Sequence, residues 1–241
     1  MDQQTNPESA LIICTRNRAE DLKKTLLRLA KSRSLPGTII VVDSSDTHSN
    51  IQETLCEFAK NPGLNIFLLR TNYGLPHQRN VGIMHLVSMQ VFPVIRIVNF
   101  IDDDMDVGED FFADSFNFLS ANPDVVALGC ANSSVTGSKK SKLIRFLLGE
   151  PSKEGRIGPS GLVSNVTPGT GFIPTDWIAG GSMVLKAEVL RDFRFDGKRR
   201  MFGEDVEASL RLSTLGEIGV HRGLEVSHRS AQSGKLPDHK S

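Results

Sequence analysis

The chain has 241 residues, of which 39% are hydrophobic and 23% are charged, and its formal net charge is zero. This length predicts a single α/β domain or one domain with an appended lobe, and the balanced charge provides no basic face for nucleic acid. The start is polar and predicts no signal peptide, while the longest apolar stretch, 91–101, is too short to span a bilayer. We therefore expect a soluble, cytoplasmic protein. Three widely spaced cysteines, Cys14, Cys56 and Cys130, show no metal-ligand spacing and predict reduced, buried thiols.

The first half of the chain alternates short apolar runs with segments whose apolar residues repeat at helical spacing. The apolar runs predict strands at 10–14, 38–42, 64–69, 94–101 and 125–130. The segments between them predict helices at 21–31, 51–59, 76–89 and 110–120. Asn17 and Glu20 are spaced like a capping box before the first helix, and Pro76 suits the first turn of the third. Alternating strands and helices predict an α/β fold, with a Rossmann-like, mostly parallel central sheet flanked by helices.

The second half has a different texture. The segment 133–175 is rich in Gly, Ser, Pro and Lys, and a segment this long without periodicity is usually functional or mobile. Regular structure is predicted again at 177–185, and a last helix at 204–214. No repeat or linker marks a second domain, and the tail after Arg229 is polar and predicted to fray. We expect one domain with a first half at about 9–132, a second half at about 133–230 and a polar tail at 231–241.

Polar loops follow each of the first four predicted strands. These loops are 15–18, 43–46, 72–74 and 102–104. Because the carboxyl ends of parallel strands share one edge of a sheet, we expect the loops to converge on one crevice. The last loop holds three adjacent carboxylates, Asp102, Asp103 and Asp104, which repel one another and cannot lie unpaired in a core. A hard divalent cation that carries a phosphorylated ligand suits this cluster, although a solvated acidic turn or a helix N-cap would also explain it.

The residues of the four loops suit a nucleoside diphosphate bound with a metal. Carboxylates can bond to a base and a ribose, while arginine and the metal can hold a pyrophosphate. No Gly-x-Gly-x-x-Gly follows the first strand and no Gly-Lys-Ser/Thr occurs, which argues against the usual dinucleotide and P-loop sites.

Six motifs, in this order, resemble the family 2 glycosyltransferases with the GT-A fold. They are Thr15-Arg16-Asn17-Arg18, Val42-Asp43-Ser44-Ser45, Asn72-x-Gly74-x-x-x-x-Arg79-Asn80-x-Gly82, Asp102-Asp103-Asp104, Gly180-Gly181 and Gly203-Glu204-Asp205. The resemblance covers about residues 9–230. It implies an inverting transfer of a sugar from a nucleotide sugar to an acceptor hydroxyl, assisted by Mg²⁺ or Mn²⁺.

Roles for individual residues follow from the resemblance and from the polar loops themselves. The residues expected to bind the nucleotide sugar are Thr15, Arg16, Asn17, Arg18, Asp43, Asn72, Gly74, Arg79, Asp102 and Asp103. The resemblance implies that Asp104 holds the metal, that His228 completes the metal site and that Asp205 is the base.

Other residues have two explanations each. Trp177 suits either stacking on an acceptor sugar or packing in the core. The pair Gly180-Gly181 suits a close backbone approach to a donor or acceptor sugar, or a bulge. Glu204 is expected to orient the acceptor or to bond to the backbone. Acidic residues are also favoured at the start of a helix without any function.

The donor is expected to be UDP- or dTDP-linked, and the acceptor a surface glycan or its lipid-linked precursor. The loop at 43–46 departs from the Asp-Asp-Gly-Ser pattern of the family, and we expect acceptor specificity in 133–175. Within that segment, Lys139, Lys140, Lys142 and the apolar run 143–148 suit at most a weak peripheral contact with a membrane. One alternative is a nucleotidyltransferase acting on sugar phosphates, although the loop after the first strand lacks the glycines that it needs. Another is a non-catalytic protein that binds nucleotide sugars.

Overall fold

The computed structural model describes residues 4–46, 51–58, 64–132, 149–198 and 203–229. Its strands are β1 (Gln4–Thr15), β2 (Ser34–Asp43), β3 (Asn65–Arg70), β4 (Ile97–Asp102), β5 (Met105–Val107), β6 (Val125–Asn132), β7 (Phe172–Pro174), β8 (Ser182–Lys186) and β9 (Glu217–His228). Its helices are α1 (Ala19–Leu29), α2 (Ile51–Phe58), α3 (Leu75–Ser88), α4 (Phe111–Ala121), α5 (Glu204–Leu212) and a 3₁₀ helix at Ala187–Arg191. None of the helices in these ranges is long and apolar enough to cross a membrane.

The strands form one mixed sheet in the order β3-β2-β1-β4-β8-β6-β9-β5, with β7 paired to β9. The strands β1 to β4, β6 and β9 run in one direction, and β5, β7 and β8 run against them. The predicted α/β fold with a mostly parallel sheet is therefore confirmed. Strand β8 lies between β4 and β6 and pairs antiparallel with both, so the second half of the chain contributes a strand to the middle of the sheet.

Apolar residues cover both faces of the sheet. In β1, Ile12 faces the core that contains Ile83 of α3, while Leu11 and Ile13 face the core that contains Leu22 of α1. Successive side chains of a strand point to opposite faces, so a nearly continuous apolar run is what a strand covered on both sides requires. The polar loops emerge between these two layers, at the carboxyl ends of the parallel strands.

Helix α1 begins differently from the sequence prediction. Its N-cap residue is Arg18, no side chain caps the helix, and Asn17 has a left-handed φ of 55°. The Asn17 amide donates instead to Asp46 at 2.7 Å, and the Asp46 N–H donates to the Asn17 Oδ1 at 3.0 Å. The predicted capping box of Asn17 and Glu20 is wrong, because a carboxylate from a distant loop takes the Asn17 side chain.

Other boundaries also differ from the prediction. Strand β4 starts three residues late, because 92–95 form a turn in which the Ile95 N–H donates to the Phe92 carbonyl at 3.0 Å. Residues 177–181 precede β8 without joining it, and strands β5, β7 and β9 were not predicted. The thiols of Cys14 and Cys130 are buried as predicted, whereas Cys56 is exposed and that part of the prediction is wrong. The lysines and apolar run proposed for a membrane contact lie outside the described residues.

Residues 149–175 contain little regular structure, as predicted, but side-chain bonds hold them in place. Glu154 accepts hydrogen bonds from the Thr167 hydroxyl at 2.6 Å and from the Arg222 guanidinium of β9. The indole N–H of Trp177 donates to the Ser164 carbonyl at 3.0 Å. The described part of this segment is therefore bonded to β9 through Glu154 and Arg222.

Candidate active site

The carboxyl ends of β1, β2 and β4 lie side by side at one edge of the sheet. Thr15 is opposite Asp43 in the β1–β2 register, and Cys14 is opposite Asp102 in the β1–β4 register. The Gln78 side chain of α3 donates to the carbonyls of Thr15 at 3.0 Å and Val42 at 2.9 Å, which fixes the start of α3 beside the same edge. The loops after β1, β2 and β4 therefore converge on one edge of the sheet, as predicted, and a ligand-binding crevice there stays a prediction.

The three adjacent aspartates have different surroundings. Asp102 ends β4 and is half-exposed, whereas Asp103 and Asp104 are buried in the turn to β5. Asp103 accepts hydrogen bonds from the Thr15 hydroxyl at 2.7 Å and from Arg18 Nη1 at 3.0 Å. Burial raises the pKa of Asp103 to about 7, although these two donors favour its ionised form.

Asp104 joins the start of the chain to its last strand. Its Oδ2 accepts a hydrogen bond from Arg18 Nη1 at 3.3 Å, and its Oδ1 lies 2.9 Å from His228 Nε2. The Asp104 side chain is 3% exposed and the His228 side chain is 38% exposed, so the imidazole is the more accessible member of the pair. Pairing of β5 with β9 sets Met105 opposite His228 and brings the imidazole to this turn.

A carboxylate oxygen and an imidazole nitrogen suit a divalent cation. The structure therefore brings together the two residues that were predicted as metal ligands. Within the described ranges, no group of three or more His, Cys, Asp or Glu side chains is placed to hold a metal ion. A cation at Asp104 and His228 would need further ligands from a bound molecule or from water.

A second cluster joins the loops after β1, β2 and β3. Arg16 Nη2 donates to both carboxylate oxygens of Asp46, at 2.9 and 3.0 Å, and its guanidinium lies 4.4 Å from the centre of the Tyr73 ring. Tyr73 lies between Asn72, which is exposed, and Gly74, whose φ of 139° favours glycine. Arg16, Asn72 and Gly74 were named individually as candidate site residues, whereas Asp46 and Tyr73 were included only as members of the predicted polar loops.

Asp43 is buried and tied to its own loop. Its Oδ1 accepts hydrogen bonds from the Ser45 N–H at 2.8 Å and from the Ser45 hydroxyl at 2.5 Å. Arg70 at the end of β3 lies 3.7 Å from the other carboxylate oxygen. These contacts hold Asp43 beside Thr15 at the ends of the strands. They also give its carboxylate partners within the protein.

Arg79 lies almost wholly inside the protein, with only 2% of its surface exposed. Its Nη2 donates to the Gly180 carbonyl at 2.9 Å and lies 3.5 Å from Asp102 Oδ1, and its guanidinium lies 5.2 Å from the Phe195 ring centre. Its Nη1 is buried with no hydrogen-bond partner among the described residues. Arg79 thus links β4, the glycine pair before β8 and the segment before α5.

The glycine pair Gly180-Gly181 is explained by these contacts. A Cβ atom at Gly180 would lie 2.9 Å from Arg79 Nη1, and one at Gly181 would lie 3.0 Å from Asp102 Oδ2. The Gly181 carbonyl also accepts a hydrogen bond from the Asp102 N–H at 3.0 Å. The close approach at this pair is therefore to Arg79 and Asp102, and an approach to a sugar stays a prediction.

Helix α5 presents two carboxylates with different exposure. Gly203, with a φ of 77°, precedes the helix, and Glu204 is buried at its start. Burial raises the pKa of Glu204, while the charge of Arg79 opposes that shift. Asp205 is half-buried, and its Oδ1 accepts a hydrogen bond from the Val206 N–H at 2.9 Å. The two residues open a helix as predicted, with Glu204 directed into the protein.

Trp177 is a buried residue. Its indole N–H is satisfied by the Ser164 carbonyl, and the residue lines a small cavity of about 70 Å³ together with Cys130 and Val220. These contacts agree with the core explanation of Trp177, and stacking on an acceptor stays a prediction.

The mostly parallel mixed sheet flanked by helices is the GT-A fold, which similar solved structures share. The chain belongs to glycosyl transferase family 2, whose model matches residues 10–182. No curated protein sequence matches it significantly.

Three similar solved structures show the likeness. One is a mannosyltransferase, PcManGT from Pyrobaculum calidifontis, in complex with GDP-Man and Mn²⁺, at 18% identity and a TM-score of 0.64, covering 97% of this chain and 61% of that chain. Another is GalNAc-T7 with UDP, GalNAc and Mn²⁺, at 17% identity and a TM-score of 0.67, covering 97% and 46%. A third is S. aureus TarS 1–349 with UDP-GlcNAc, at 17% identity and a TM-score of 0.62, covering 93% and 60%. The chain spans about half to three fifths of the length of these structures.

Proposed function

We propose that this protein is a glycosyltransferase that moves a sugar from a nucleoside-diphosphate sugar, UDP- or dTDP-linked, to an acceptor hydroxyl with inversion. The observation that carries the proposal is the meeting of Asp104 and His228 at 2.9 Å, beside the loops that end β1, β2 and β4. Ligands as far apart in sequence as these two come together only in the folded chain. Membership of the family supports the reaction class.

The donor would bind along the edge formed by the loops after β1, β2 and β4. The similar structures hold GDP-Man, UDP or UDP-GlcNAc, which supports a nucleoside diphosphate as the ligand class. In this chain, half-exposed Asp102 would face the nucleoside, and Arg18 would bring a positive charge toward the diphosphate. Arg18 already contacts both Asp103 and Asp104, so one guanidinium lies against the two buried carboxylates before a ligand arrives.

Asp104 and His228 would hold Mg²⁺ or Mn²⁺, with diphosphate oxygens and water as the other ligands. A metal held there would offset the charge that builds on the departing diphosphate. Two of the similar structures contain Mn²⁺, which supports a divalent metal in this chain.

Asp205 is proposed as the base that removes the proton from the acceptor hydroxyl. It is half-buried at the start of a helix, where the Val206 N–H holds one carboxylate oxygen and the other is left to accept a proton. Glu204 is less suited, because burial raises its pKa and favours its protonated form. Attack from the side opposite to the leaving nucleotide would give a product with inverted anomeric configuration.

The acceptor is proposed to be a surface glycan or its lipid-linked precursor, bound near the described part of 149–175. This assignment rests on analogy within the fold and on the place of that segment beside β9. Any membrane contact would be peripheral, and the residues proposed for it lie outside the described ranges.

A thermal-shift screen of nucleotide sugars with and without Mn²⁺ tests the proposal. We expect one UDP- or dTDP-sugar to raise the melting temperature by several degrees only when Mn²⁺ is present. Asp104→Ala should abolish this shift and keep the fold, while Asp114→Asn, an exposed acid on α4, should retain it.

Three outcomes would contradict the proposal. Unchanged donor affinity of Asp104→Ala in the presence of Mn²⁺ would remove the metal assignment. Consumption of a nucleoside triphosphate and a sugar phosphate would indicate a nucleotidyltransferase. Donor binding without transfer to any glycan acceptor would favour a non-catalytic binding protein.

A further inference from the structure

Arg229 follows His228 directly and fastens the end of β9 to the turn that carries the aspartates. Its Nη2 donates to the Thr25 hydroxyl at 2.7 Å and to the carbonyls of Asp21 at 3.1 Å and Asp103 at 3.2 Å. Its Nη1 donates to the Asp106 carboxylate and to the Met105 carbonyl at 3.4 Å. One guanidinium thus contacts α1 and the residues on either side of Asp104.

The main chain of Arg229 and the hydroxyl of Thr25 complete this connection. The Arg229 N–H donates to the Asp104 carbonyl at 2.9 Å. The Thr25 hydroxyl in turn donates to the Asp103 carbonyl at 2.6 Å, so α1 holds the same turn from the other side. Arg229 and Thr25 therefore hold the backbone on both sides of Asp104, in addition to the Arg18 hydrogen bond to its carboxylate and the β5–β9 pairing that brings His228 to the turn.

We propose that Arg229 is a positioning residue that holds Asp104 and His228 at the separation a divalent cation requires. The inference rests on the proposed function, because it assumes that these two residues bind metal. Arg229 is not itself a ligand, since a guanidinium carries only donors and stays protonated. The planar guanidinium has separate N–H groups, and these donate to acceptors on α1, in the turn at Asp103 and on β5.

Replacement of Arg229 by lysine or by methionine should remove these hydrogen bonds to different extents. A lysine ammonium is a single point with three donors and cannot span acceptors on α1 and on both sides of Asp104 at once. Methionine keeps much of the apolar stem and removes every donor. Loss of a group that orients metal ligands typically lowers metal affinity by about 10- to 100-fold.

The test is titration of the full chain with Mn²⁺ alone, in which electron paramagnetic resonance measures the concentration of free Mn²⁺ at each step. We expect Arg229→Met to weaken Mn²⁺ binding by about tenfold or more and Arg229→Lys to lie between it and the wild type. Arg222→Met is the matched control, because Arg222 lies on β9, which ends one residue before Arg229, pairs with Glu154, and has a side chain 29% exposed compared with 23% for Arg229. Its Mn²⁺ affinity should stay at the wild-type value even if its melting temperature falls.

Wild-type Mn²⁺ affinity in Arg229→Met would overturn the inference, and so would an equal loss of affinity in Arg222→Met. If Arg229→Met does not fold, the comparison of Arg229→Lys with Arg222→Met decides in the same way. Asp104→Ala and His228→Ala separate this inference from the proposed function. If they bind Mn²⁺ as the wild type does, the metal pair itself is wrong and the inference falls with it. If they lose Mn²⁺ while Arg229→Met keeps it, only the positioning role fails.

Discussion

Arg79 shows how much of a site can depend on a side chain that solvent hardly touches. Its guanidinium holds the Gly180 carbonyl and approaches Asp102, and both groups lie at the carboxyl edge of the sheet. A role in binding the nucleotide stays a prediction for Arg79, since its contacts in the structure are to the protein.

Replacement of Arg79 by methionine should lower the free energy of unfolding. The change leaves the Gly180 carbonyl without its donor and Asp102 without its cation, which costs about 1–3 kcal/mol. The control is Arg96→Met, because Arg96 makes an exposed ion pair with Glu8 at 3.7 Å that is worth less than about 1 kcal/mol. Urea unfolding measures both variants, and equal losses would refute the importance of the buried contacts.

Asp205 carries the chemical step in the proposed mechanism, and Asp205→Asn tests it. Asparagine keeps an oxygen that can accept the Val206 N–H but cannot take a proton from the acceptor, so turnover should fall by about 10²- to 10⁴-fold. Donor affinity measured by calorimetry should hardly change. Glu207→Gln is the control, because Glu207 lies in the same helical turn and pairs with Arg211.

A near-normal turnover in Asp205→Asn would refute its role as the base. The configuration of the product, determined by nuclear magnetic resonance, is a second and independent check. Retention of the donor's anomeric configuration would contradict direct displacement by the acceptor.

Asp103 should make the stability of the metal-free protein depend on pH. Burial raises its pKa from 3.8 to about 7 in the folded state, so between these values the native chain keeps a proton that the unfolded chain has lost. The free energy of unfolding contributed by Asp103 therefore falls as pH rises through this range, by up to about 1.4 kcal/mol per pH unit. Urea unfolding in a chelator at pH 5, 6 and 7 should show a smaller decline in Asp103→Asn than in the wild type. Parallel pH profiles for the two proteins would contradict the raised pKa.

At the scale of the elements, the contact of α3 with the sheet places the start of α3 beside the carboxyl ends of β1 and β2. Gly82 of α3 lies so close to β1 that an added Cβ would be 2.8 Å from Ile12 Cγ2 and 3.3 Å from Val42 Cγ2. The glycine allows Gln78 and Arg79 on the same helix to reach the ends of the strands.

Gly82→Ala should destabilise the protein in spite of the better helix propensity of alanine. The propensity gain is about 1 kcal/mol, whereas forcing a methyl into a packed core costs about 1–3 kcal/mol. Gly197→Ala is the control, because none of the described residues has an atom within 4 Å of its added Cβ, and the change should stay within about 0.5 kcal/mol. Thermal unfolding compares the two, and a stabilised Gly82→Ala would show that the contact can relax.

Periodicity in the sequence predicted the elements of the first half well, and the polar loop after each strand gave most of the candidate site. The capping box at Asn17 failed because its competitor, Asp46, is adjacent only in the folded chain. Strand β9 did have a signal, since Ile218, Val220, Leu224 and Val226 alternate with other residues. Gly219 and Gly223 within this run weaken the alternation, so no strand was predicted there, and only the fraying of the polar tail after Arg229 was.

The position of His228 could not be predicted from that alternation alone. The β6–β9 register passes from His221 to Glu225 while β6 advances by a single residue, so β9 carries an irregularity in its middle. Such a feature bends a strand and redirects its side chains, and its presence is set by pairing with β6 and β5. The aspartate cluster indicated a cation site by its own residues, whereas the proposed pairing of Asp104 with His228 could be predicted only through resemblance to a family.

For the molecule as a whole, the position of β8 has a consequence for how the chain folds during synthesis. Strand β8 separates β4 from β6, yet residues 133–181 are made before it begins. At about 5–20 residues per second, those residues take roughly 2–10 s to synthesise.

Throughout that interval one edge of β4 and both edges of β6 lack their final neighbours, and an unpaired apolar edge can pair with another chain. The last neighbour of β6 is β9, which also delivers His228. A nascent chain therefore closes the remaining edge of β6 in the same step that assembles the proposed metal pair, and no shorter intermediate on the ribosome carries both members of that pair.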